Sequence, residues 1–550
     1  MTDSAVPNPA TQLAREIVQT CLNHGTKHVV IAPGSRSAPL SWAFAQAEKA
    51  GLVTVHVRID ERDAGFLALG IAKATNKPVP VVITSGSAVA NLLPAVVEGF
   101  HSGIPIVVLS ADRPATSRGH SAPQTINQVG IFGSFVKTSI DISHDDLGSD
   151  KVSRALTECV MPRSAPIQIN VQFELPLMPE GQHIAWLPKV QLVPENLNPK
   201  KIGVQMATSA HGLFVIGDTS DAVAVQEIDM LSRQLGWPVI CEPSANAHGL
   251  GNAISHGVVL LQAEVAPMPE VVVTLGTVGL SRAVLRLLTT TQTHLAIHSQ
   301  SAGSDIPDPV SSADRVLETV PQLTNTPDST WLSRWQELNT EAESVINTAL
   351  GPDTLTGPSA AQTLWNIAGA SDQVFVAASW PVRHLEAYAP NRDGLRVFGN
   401  RGANGIDGLI STAAGVAIGG AKRTYLLLGD IAFLHDLGGL NIGSNQAEPD
   451  LTIVVMDNNG SGIFSQLEQG ADEYQEHYEK VFGTPHGKDL WVIAESLGVP
   501  AKQVTTKTEL AFALTNFEKA SGLKVIVCLT GDRKDENDLI KQIISQVRNS

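Results

Sequence analysis

The chain repeatedly places continuous runs of β-branched residues directly before small or polar residues. In its first part the runs HVVIAP, VTVHVRID, VPVVITSG and IPIVVLSADRP follow this pattern, with helix-like segments between them. A continuous apolar run indicates a strand covered on both faces, as in a parallel sheet, whereas an alternating run would indicate one solvated face. Because parallel sheets bind ligands at the carboxyl ends of their strands, the residues that end these runs are the candidate functional residues.

The same pattern recurs twice more and predicts an α/β fold with three doubly wound parallel-sheet domains. A chain of 550 residues is too long for one core. A proline-rich stretch, FELPLMPEGQHIAWLPKVQLVPENLNPKK, interrupts the pattern and is typical of a linker. We expect domains at 1–185, at 186–354 including the flanking linkers, and at 355–550. The segment LALGIAKATNKPVPVVITSGSAVAN matches TAAGVAIGGAKRTYLLLGDIAFLHD in outline, so the outer two domains are expected to be related.

Charge and cysteine content exclude several classes of protein. The formal net charge of −16 makes a general affinity for nucleic acid or anionic membranes unfavourable. The four cysteines lie far apart without a Cys-x-x-Cys pair, which is typical of a reduced, cytosolic protein without thiolate metal sites. No run approaches the roughly 18 apolar residues that a membrane-spanning helix needs, and the first ten residues do not form a signal peptide. We therefore expect a cytoplasmic protein.

Two predicted strand ends carry hard oxygen donors, and their spacing along the chain is typical of neighbouring parallel strands. Asp430 follows the run TYLLLG, and twenty-eight residues later Asn458 and Gly460 follow LTIVVMD. A crossover of that length fits one helix, so the strands should be parallel neighbours with adjacent carboxyl ends. A carboxylate, an amide oxygen and a backbone carbonyl suit Mg²⁺ or Mn²⁺ shared with a diphosphate. The alternative is structural, because Gly-Asp is often a helix N-cap and Asn-Asn-Gly is often a turn.

The GD and NN pair at this spacing resembles the signature of thiamine diphosphate (ThDP)-dependent enzymes. The resemblance implies a pyrimidine-binding, a central and a diphosphate-binding domain, in that order. It also implies that Asp430, Asn458 and the carbonyl of Gly460 hold the divalent cation against the cofactor. Ile406 would wedge between the cofactor rings, and Ile463 would be a further cofactor contact. The third signature residue is usually glycine and is isoleucine here, at a position that is not a ligand.

A carboxyl group near the pyrimidine ring is needed to activate this cofactor, and Glu61 is the candidate. It lies in VHVRIDERDAGFLALG, at the end of a predicted strand and the start of a helix. The residues alone do not distinguish Glu61 from its acidic neighbours, which could form a charged first turn favoured by the helix dipole. In the family the activating glutamate lies at this place in the first domain, so the resemblance implies Glu61. It also implies a homodimer or homotetramer with active sites at the subunit interface.

Longer motifs resemble the menaquinone-pathway carboligases within this family. These are IAPGSRSAPL, DERDAGFLALGIAK, TSGSAVANLLPAVVE, LSADRPA and NRGANGIDGLISTAAG. The implied reaction is decarboxylation of 2-oxoglutarate, followed by 1,4-addition of the succinyl-semialdehyde carbanion to isochorismate. The product is 2-succinyl-5-enolpyruvyl-6-hydroxy-3-cyclohexene-1-carboxylate. An acetolactate synthase type of decarboxylase or carboligase is the alternative, and a catalytically silent binding protein is a third reading.

Four arginines follow predicted strands and independently support dicarboxylate substrates. They are Arg36, Arg113, Arg383 and Arg401. Arginine binds a carboxylate through two parallel hydrogen bonds, and an acidic protein must concentrate such cations where its anionic substrates bind. The resemblance implies that the following residues line the substrate cavity: Ser35, Arg36, Arg113, Gln124, Arg282, Ser379, Arg383, Arg401, Phe464 and Leu467. Among them it assigns catalytic roles, beside Glu61, to Arg36, Gln124 and Ser379.

This chain departs from the family pattern at two positions near these residues. The family often has a Lys-Arg pair where this chain has Ser281 and Arg282. An asparagine often precedes the position of Gln124, where this chain has Pro123. Both departures bear on contacts to the second substrate.

Overall fold

A computed structural model describes residues 7–179, 186–193, 204–298, 306–517 and 522–550. The chain divides into two compact units. One comprises Met1–Asn198, Gly402–Ala421 and Asp436–Pro449, and the other comprises Pro199–Arg401, Lys422–His435 and Asp450–Ser550.

The first unit contains a six-stranded parallel sheet in the order β2-β1-β3-β4-β6-β5. Its strands are β1 His28–Ile31, β2 Thr54–Val57, β3 Val79–Ile83, β4 Ile106–Asp112, β5 Ser139–Ile142 and β6 Ile167–Gln172. Every residue of β3 and β4 is buried, as their continuous β-branched runs predicted.

The second unit contains two larger parallel sheets and a two-stranded one. The central sheet, in the order β12-β11-β10-β8-β9, consists of β8 Gly212–Ile216, β9 Val239–Cys241, β10 Val271–Leu275, β11 Thr293–Ile297 and β12 Arg315–Leu317. Strands β7 Gln205–Ala207 and β13 Gln322–Thr324 pair with each other. The last sheet, in the order β15-β14-β16-β17-β19-β18, consists of β14 Gln373–Val376, β15 Arg396–Phe398, β16 Thr424–Gly429, β17 Leu451–Asp457, β18 Ala501–Val504 and β19 Leu523–Leu529.

Helices connect the parallel strands in both units. Those up to the central sheet are α1 Pro9–Asn23, α2 Ala38–Lys49, α3 Glu61–Thr75, α4 Ser87–Asn91, α5 Leu93–His101, α6 Lys151–Val160, α7 Ala222–Leu235, α8 Gly257–Gln262 and α9 Arg282–Thr290. The later ones are α10 Ser329–Ala349, α11 Gly357–Ile367, α12 Trp380–Tyr388, α13 Leu409–Gly420, α14 Asp430–His435, α15 Gln475–Tyr478, α16 Leu490–Ser496, α17 Lys507–Phe517 and α18 Arg533–Asn549. Within the described residues, no helix combines the length and the apolar character that crossing a membrane requires.

Helices α3 and α13 pack against each other inside the first unit through glycines. A Cβ added at Gly70 would lie 2.0 Å from the carbonyl oxygen of Thr412, and one at Gly415 would lie 2.3 Å from that of Leu67. Only residues without a side chain allow the two helix backbones to approach this closely. The contact fixes the helix that begins at Glu61 against the helix that follows the NRGANGIDG motif.

The structure confirms the predicted fold class of parallel-sheet α/β domains. It also confirms the relation between the two outer sheets: the segment α3-β3-α4 corresponds to α13-β16-α14, and the two sheets share one strand order. The domain boundaries at 185 and 354 stay predictions, and residue 185 lies outside the described residues.

Candidate functional site

The strand register of the last sheet brings Asp430 next to the loop after β17. Gly429 is paired with Met456 across the two parallel strands, so both chains leave the sheet at the same edge. Asp430 is 2 % exposed. Its Oδ2 accepts a hydrogen bond of 2.7 Å from the backbone N–H of Gly460, and its Oδ1 accepts one of 2.7 Å from that of Ile431. The predicted meeting of these two strand ends is thus present.

Two further ligand-type residues, Asp457 and His486, lie at this edge and were not predicted. The Nε2 atom of His486 is 3.2 Å from Asp430 Oδ2 and 3.3 Å from Asp457 Oδ1. The hydrogen bond to Asp430 raises the pKa of His486, and burial raises the pKa of Asp457. Asp457 could have been recognised as the last residue of an apolar run. His486 stands in an irregular loop at no ligand spacing, so only the folded chain reveals it.

The residues at this edge fit a divalent cation. The side-chain oxygen of Asn458 is buried and has no hydrogen-bond partner among the described residues. One ligand atom each from Asp430, Asp457 and His486 lies within 4.8 Å of the others. Gly460 has φ +144°, and an added Cβ would lie 2.2 Å from the carbonyl oxygen of Gly483, so a side chain is excluded there. Carboxylate and amide oxygens are the donors that Mg²⁺ and Mn²⁺ prefer.

Glu61 lies where the sequence predicted it, as the first residue of α3. The side chain of Asp60 caps this helix by accepting a 2.8 Å hydrogen bond from the N–H of Arg62. Glu61 is half-buried, and its Oε2 accepts a 3.2 Å hydrogen bond from Asn91 Nδ2.

A buried carboxyl pair, Asp63 and Asp436, lies in the same unit two residues beyond Glu61. Asp436 is fully buried and its Oδ2 accepts a 2.9 Å hydrogen bond from the N–H of Ser411, at the start of α13. Burial raises the pKa of Asp436 to about 8, and the neighbouring Asp63 acts in the same direction. The pair therefore links the first turn of α3 to that of α13.

The other predicted residues of the first unit lie near the ends of β1, β3 and β4. Arg36 donates from Nη1 to the carbonyl oxygen of Phe173 at 3.0 Å. Burial lowers the pKa of Arg36, and the charge of Arg113 adds to this effect. Gln124 has a left-handed backbone with φ +55° and donates from Nε2 to the carbonyl oxygen of Ser85 at 3.0 Å.

Arg113 contacts the backbone of Pro123, one of the two positions where the chain departs from the family pattern. Arg113 donates from Nε at 3.1 Å and from Nη2 at 2.8 Å to the carbonyl oxygen of Pro123. These contacts use only the backbone of residue 123, so they do not depend on which side chain stands there. Two further predicted residues of this unit are Ser35, which is exposed, and Ile406, which is half-buried just before α13.

In the second unit, four predicted residues line one cavity of about 310 Å³: Arg282, Arg383, Ile463 and Leu467. Arg383 donates from Nη1 to the carbonyl oxygen of Ser379 at 2.8 Å, and burial lowers its pKa. Ser379 itself has φ +72°, a left-handed backbone that is rare for a serine and typical of functional sites. Phe464 is not among the lining residues and packs against Phe482 instead, with ring centroids 5.8 Å apart.

Two buried glutamates near this cavity were missed. Arg401 is 8 % exposed, and its Nη2 lies 4.0 Å from Oε2 of Glu242. Glu386 lines the cavity beside Arg383. The candidate residues were those that follow predicted strands of the first and last domains. Neither glutamate stands at such a position, so neither was predicted.

Comparisons with known proteins identify the class. Residues 11–131 match the N-terminal ThDP-binding domain of thiamine pyrophosphate enzymes, and residues 380–528 match the C-terminal one. An X-ray structure described as a candidate thiamin diphosphate-dependent enzyme from Mycobacterium smegmatis has the same fold. Its TM-score is 0.66 at 17 % identity, over 95 % of this chain and 99 % of that one. The protein is a thiamine diphosphate-dependent enzyme with the three-domain architecture of that class.

Relatives that match over nearly the whole length narrow the class further. A 2-succinyl-5-enolpyruvyl-6-hydroxy-3-cyclohexene-1-carboxylate synthase from Nocardioides sp. is 38 % identical over 98 % of both chains. Synthases of the same name from Paenarthrobacter aurescens and Thermobifida fusca are 39 % identical over 91 % and 37 % identical over 92 % of this chain, covering 91 % and 94 % of theirs. The chain belongs to this synthase family, which confirms the resemblance seen in its motifs.

Proposed function

We propose that the protein decarboxylates 2-oxoglutarate and adds the resulting succinyl-semialdehyde carbanion in 1,4 fashion to isochorismate. The products are CO₂ and 2-succinyl-5-enolpyruvyl-6-hydroxy-3-cyclohexene-1-carboxylate, for menaquinone biosynthesis. The observation that carries this proposal is the similarity to synthases of that name over 98 % of the chain. Arginines at the ends of the strands, in both units, add a chemical reason, because both substrates are dicarboxylates.

The proposed metal site consists of Asp430, Asn458 and the carbonyl oxygen of Gly460, with Mg²⁺ or Mn²⁺ as the cation. The buried, unsatisfied oxygen of Asn458 supports this assignment, because a polar atom without a partner costs free energy unless a ligand binds it. When bound, ThDP supplies a nucleophilic carbon and an electron sink for decarboxylation. Ile406 and Ile463 are proposed as apolar contacts to it.

Glu61 is the proposed acid that donates a proton to the cofactor's pyrimidine ring. Its position at the start of α3 is secured by the Asp60 cap and by the glycine contact between α3 and α13. The similarity to thiamine pyrophosphate enzymes supports the predicted homodimer or homotetramer with active sites at the subunit interface. Assembly state and cytoplasmic location stay predictions.

The residues proposed to bind substrate come from both units. Ser35, Arg36, Arg113 and Gln124 belong to the first unit, and Arg36 and Gln124 are also proposed to act in catalysis. Arg282, Ser379, Arg383, Arg401, Phe464 and Leu467 belong to the second, where Ser379 is the further catalytic candidate. In the second unit the arginines would bind a carboxylate, and the apolar residues would exclude water from it.

An assay with both substrates tests the proposal directly. We expect the purified protein with ThDP and Mg²⁺ to release CO₂ from 2-oxoglutarate and to consume isochorismate, and to do neither when ThDP is omitted. Pyruvate in place of 2-oxoglutarate is the matched control, because it lacks the distal carboxylate. Turnover of pyruvate without turnover of 2-oxoglutarate would contradict the proposal and would favour a carboligase of the acetolactate synthase type.

A further inference from the structure

Glu242, a buried residue of the central sheet region, connects two parts of the second unit. It follows β9 and is 3 % exposed. Its Oε1 accepts hydrogen bonds of 2.8 Å from the backbone N–H groups of both Gly279 and Leu280, in the loop that leads to Arg282. Its Oε2 has no hydrogen-bond partner among the described residues and lies 4.0 Å from Arg401 Nη2. One carboxylate thus faces both a loop of the central sheet and an arginine of the last sheet.

Glu386 is a second buried glutamate in this part of the unit, and its surroundings differ from those of Glu242. It lies on α12, one turn beyond Arg383, and lines the cavity. Burial and the nearby charge of Glu242 raise the pKa of Glu386 well above its ordinary value. Burial also raises the pKa of Glu242, but Arg401 and the two backbone N–H groups oppose that effect. The charges of Arg383 and Arg401 also oppose the rise at Glu386, but Glu242 has in addition the two backbone hydrogen bonds, so we assign the charge to Glu242 and the proton to Glu386.

The charges around the cavity then favour an anionic ligand. Arg282 and Arg383 line the cavity, whereas Arg401 and Glu242 are not among its lining residues and face each other as an ion pair. Ser281 Oγ and Trp380 Nε1 belong to residues that line the cavity, are buried, and have no hydrogen-bond partner in the described part of the chain. They are available as donors to a ligand, and the serine that replaces the family's lysine is one of them.

We propose that Glu242 is a positioning residue that holds Arg401 and the loop before Arg282 in place to bind a substrate carboxylate. The inference rests on the proposed function and deepens it, because it makes the central sheet part of substrate recognition. A buried guanidinium without a counter-charge is costly, so Arg401 needs a partner before substrate binds.

The test is the variant Glu242→Gln, assayed with 2-oxoglutarate as the varied substrate. Glutamine keeps an oxygen for the N–H groups of Gly279 and Leu280 but loses the charge that faces Arg401. We expect KM for 2-oxoglutarate to rise about tenfold or more while kcat stays within about threefold, since a charge-assisted contact is removed from ground-state and transition-state binding alike. The affinity for ThDP should match wild type.

A matched control variant separates positioning from general destabilisation. Glu264→Gln removes an exposed carboxylate of the same sheet region that pairs with Arg286 and Arg548, and it should change neither constant. If Glu242→Gln does not fold, Glu242→Asp takes its place. That shorter carboxylate cannot reach both partners, so it should also raise KM.

The outcomes distinguish this inference from the proposed function. Wild-type protein that fails to release CO₂ from 2-oxoglutarate removes the proposed function itself. Wild-type turnover combined with an unchanged KM in Glu242→Gln, or in Glu242→Asp, overturns the positioning role alone. A fall in kcat at unchanged KM, or an equal rise of KM in Glu264→Gln, also overturns it.

Discussion

The first and last sheets have the same strand order but end their equivalent strands in different chemical groups. Strand β2 of the first sheet is followed by Glu61, whereas its equivalent β15 is followed by Arg401. Strand β4 is followed by Arg113, whereas its equivalent β17 is followed by Asn458. The scaffold decides where a functional residue stands, and the residue after each strand decides what that position does. In our proposal the first sheet supplies the proton-donating Glu61, the last sheet supplies the metal ligands, and both supply residues that bind substrate.

The variant Glu61→Gln is the strongest test of this division of roles between the two sheets. If the first sheet supplies the proton-donating group, kcat should fall by about 10²–10⁴, the usual range for loss of acid–base catalysis. Calorimetric titration should show that ThDP still binds with Mg²⁺, because the metal residues belong to the other sheet. An unchanged kcat would remove Glu61 from the mechanism.

The complementary change in the last sheet is Asp430→Ala. Loss of a carboxylate ligand should weaken Mg²⁺ binding, and ThDP binding measured at fixed Mg²⁺, by at least about 10-fold to 100-fold. Asp450→Ala is the control, since that aspartate lies before β17 and pairs with Lys524. Cofactor binding equal to wild type in Asp430→Ala would contradict the assignment of the metal site to this sheet.

The equivalence of the two sheets also predicts a stability effect where their corresponding helices meet. Gly70→Ala places a methyl group against the backbone of α13, and we expect a loss of about 1–3 kcal/mol in the free energy of unfolding. Gly443→Ala in the same unit is the control, because its added Cβ would meet only Gln446 Cγ at 3.8 Å. Denaturant unfolding of both variants measures the difference. Equal stabilities would show that the helix contact is not tightly packed.

The last expected effect concerns the pH dependence of stability and the carboxyl pair between these helices. The folded-state pKa of Asp436 is raised to about 8 from 3.8, so this residue contributes stability at low pH and loses that contribution as pH rises through this window. In Asp436→Asn the fall in unfolding free energy between pH 5 and pH 8 should be smaller than in wild type by about 1–3 kcal/mol. Asp150→Asn, an exposed helix cap, should leave the wild-type pH dependence unchanged. A variant with the wild-type slope would show that Asp436 titrates normally.

Local pattern was sufficient to predict the sheets and most strand ends. The runs before Asp430 and Asn458 are apolar throughout, and parallel neighbours necessarily place their carboxyl ends together, so both were found from the sequence. His486 and Glu242 were missed for the opposite reason. The first lies in an irregular loop, and the second acts through a contact with a residue far along the chain.

What the sequence by itself determined is the α/β class, the relation of the two outer sheets and the identity of the groups at their strand ends. These properties depend on local hydrophobic pattern and on topology that short-range rules constrain. Only the tertiary structure decided which carboxylates are buried beside which arginines. Burial and pairing set the charge of a group such as Glu386 or Asp436, and both depend on residues brought together from distant parts of the chain.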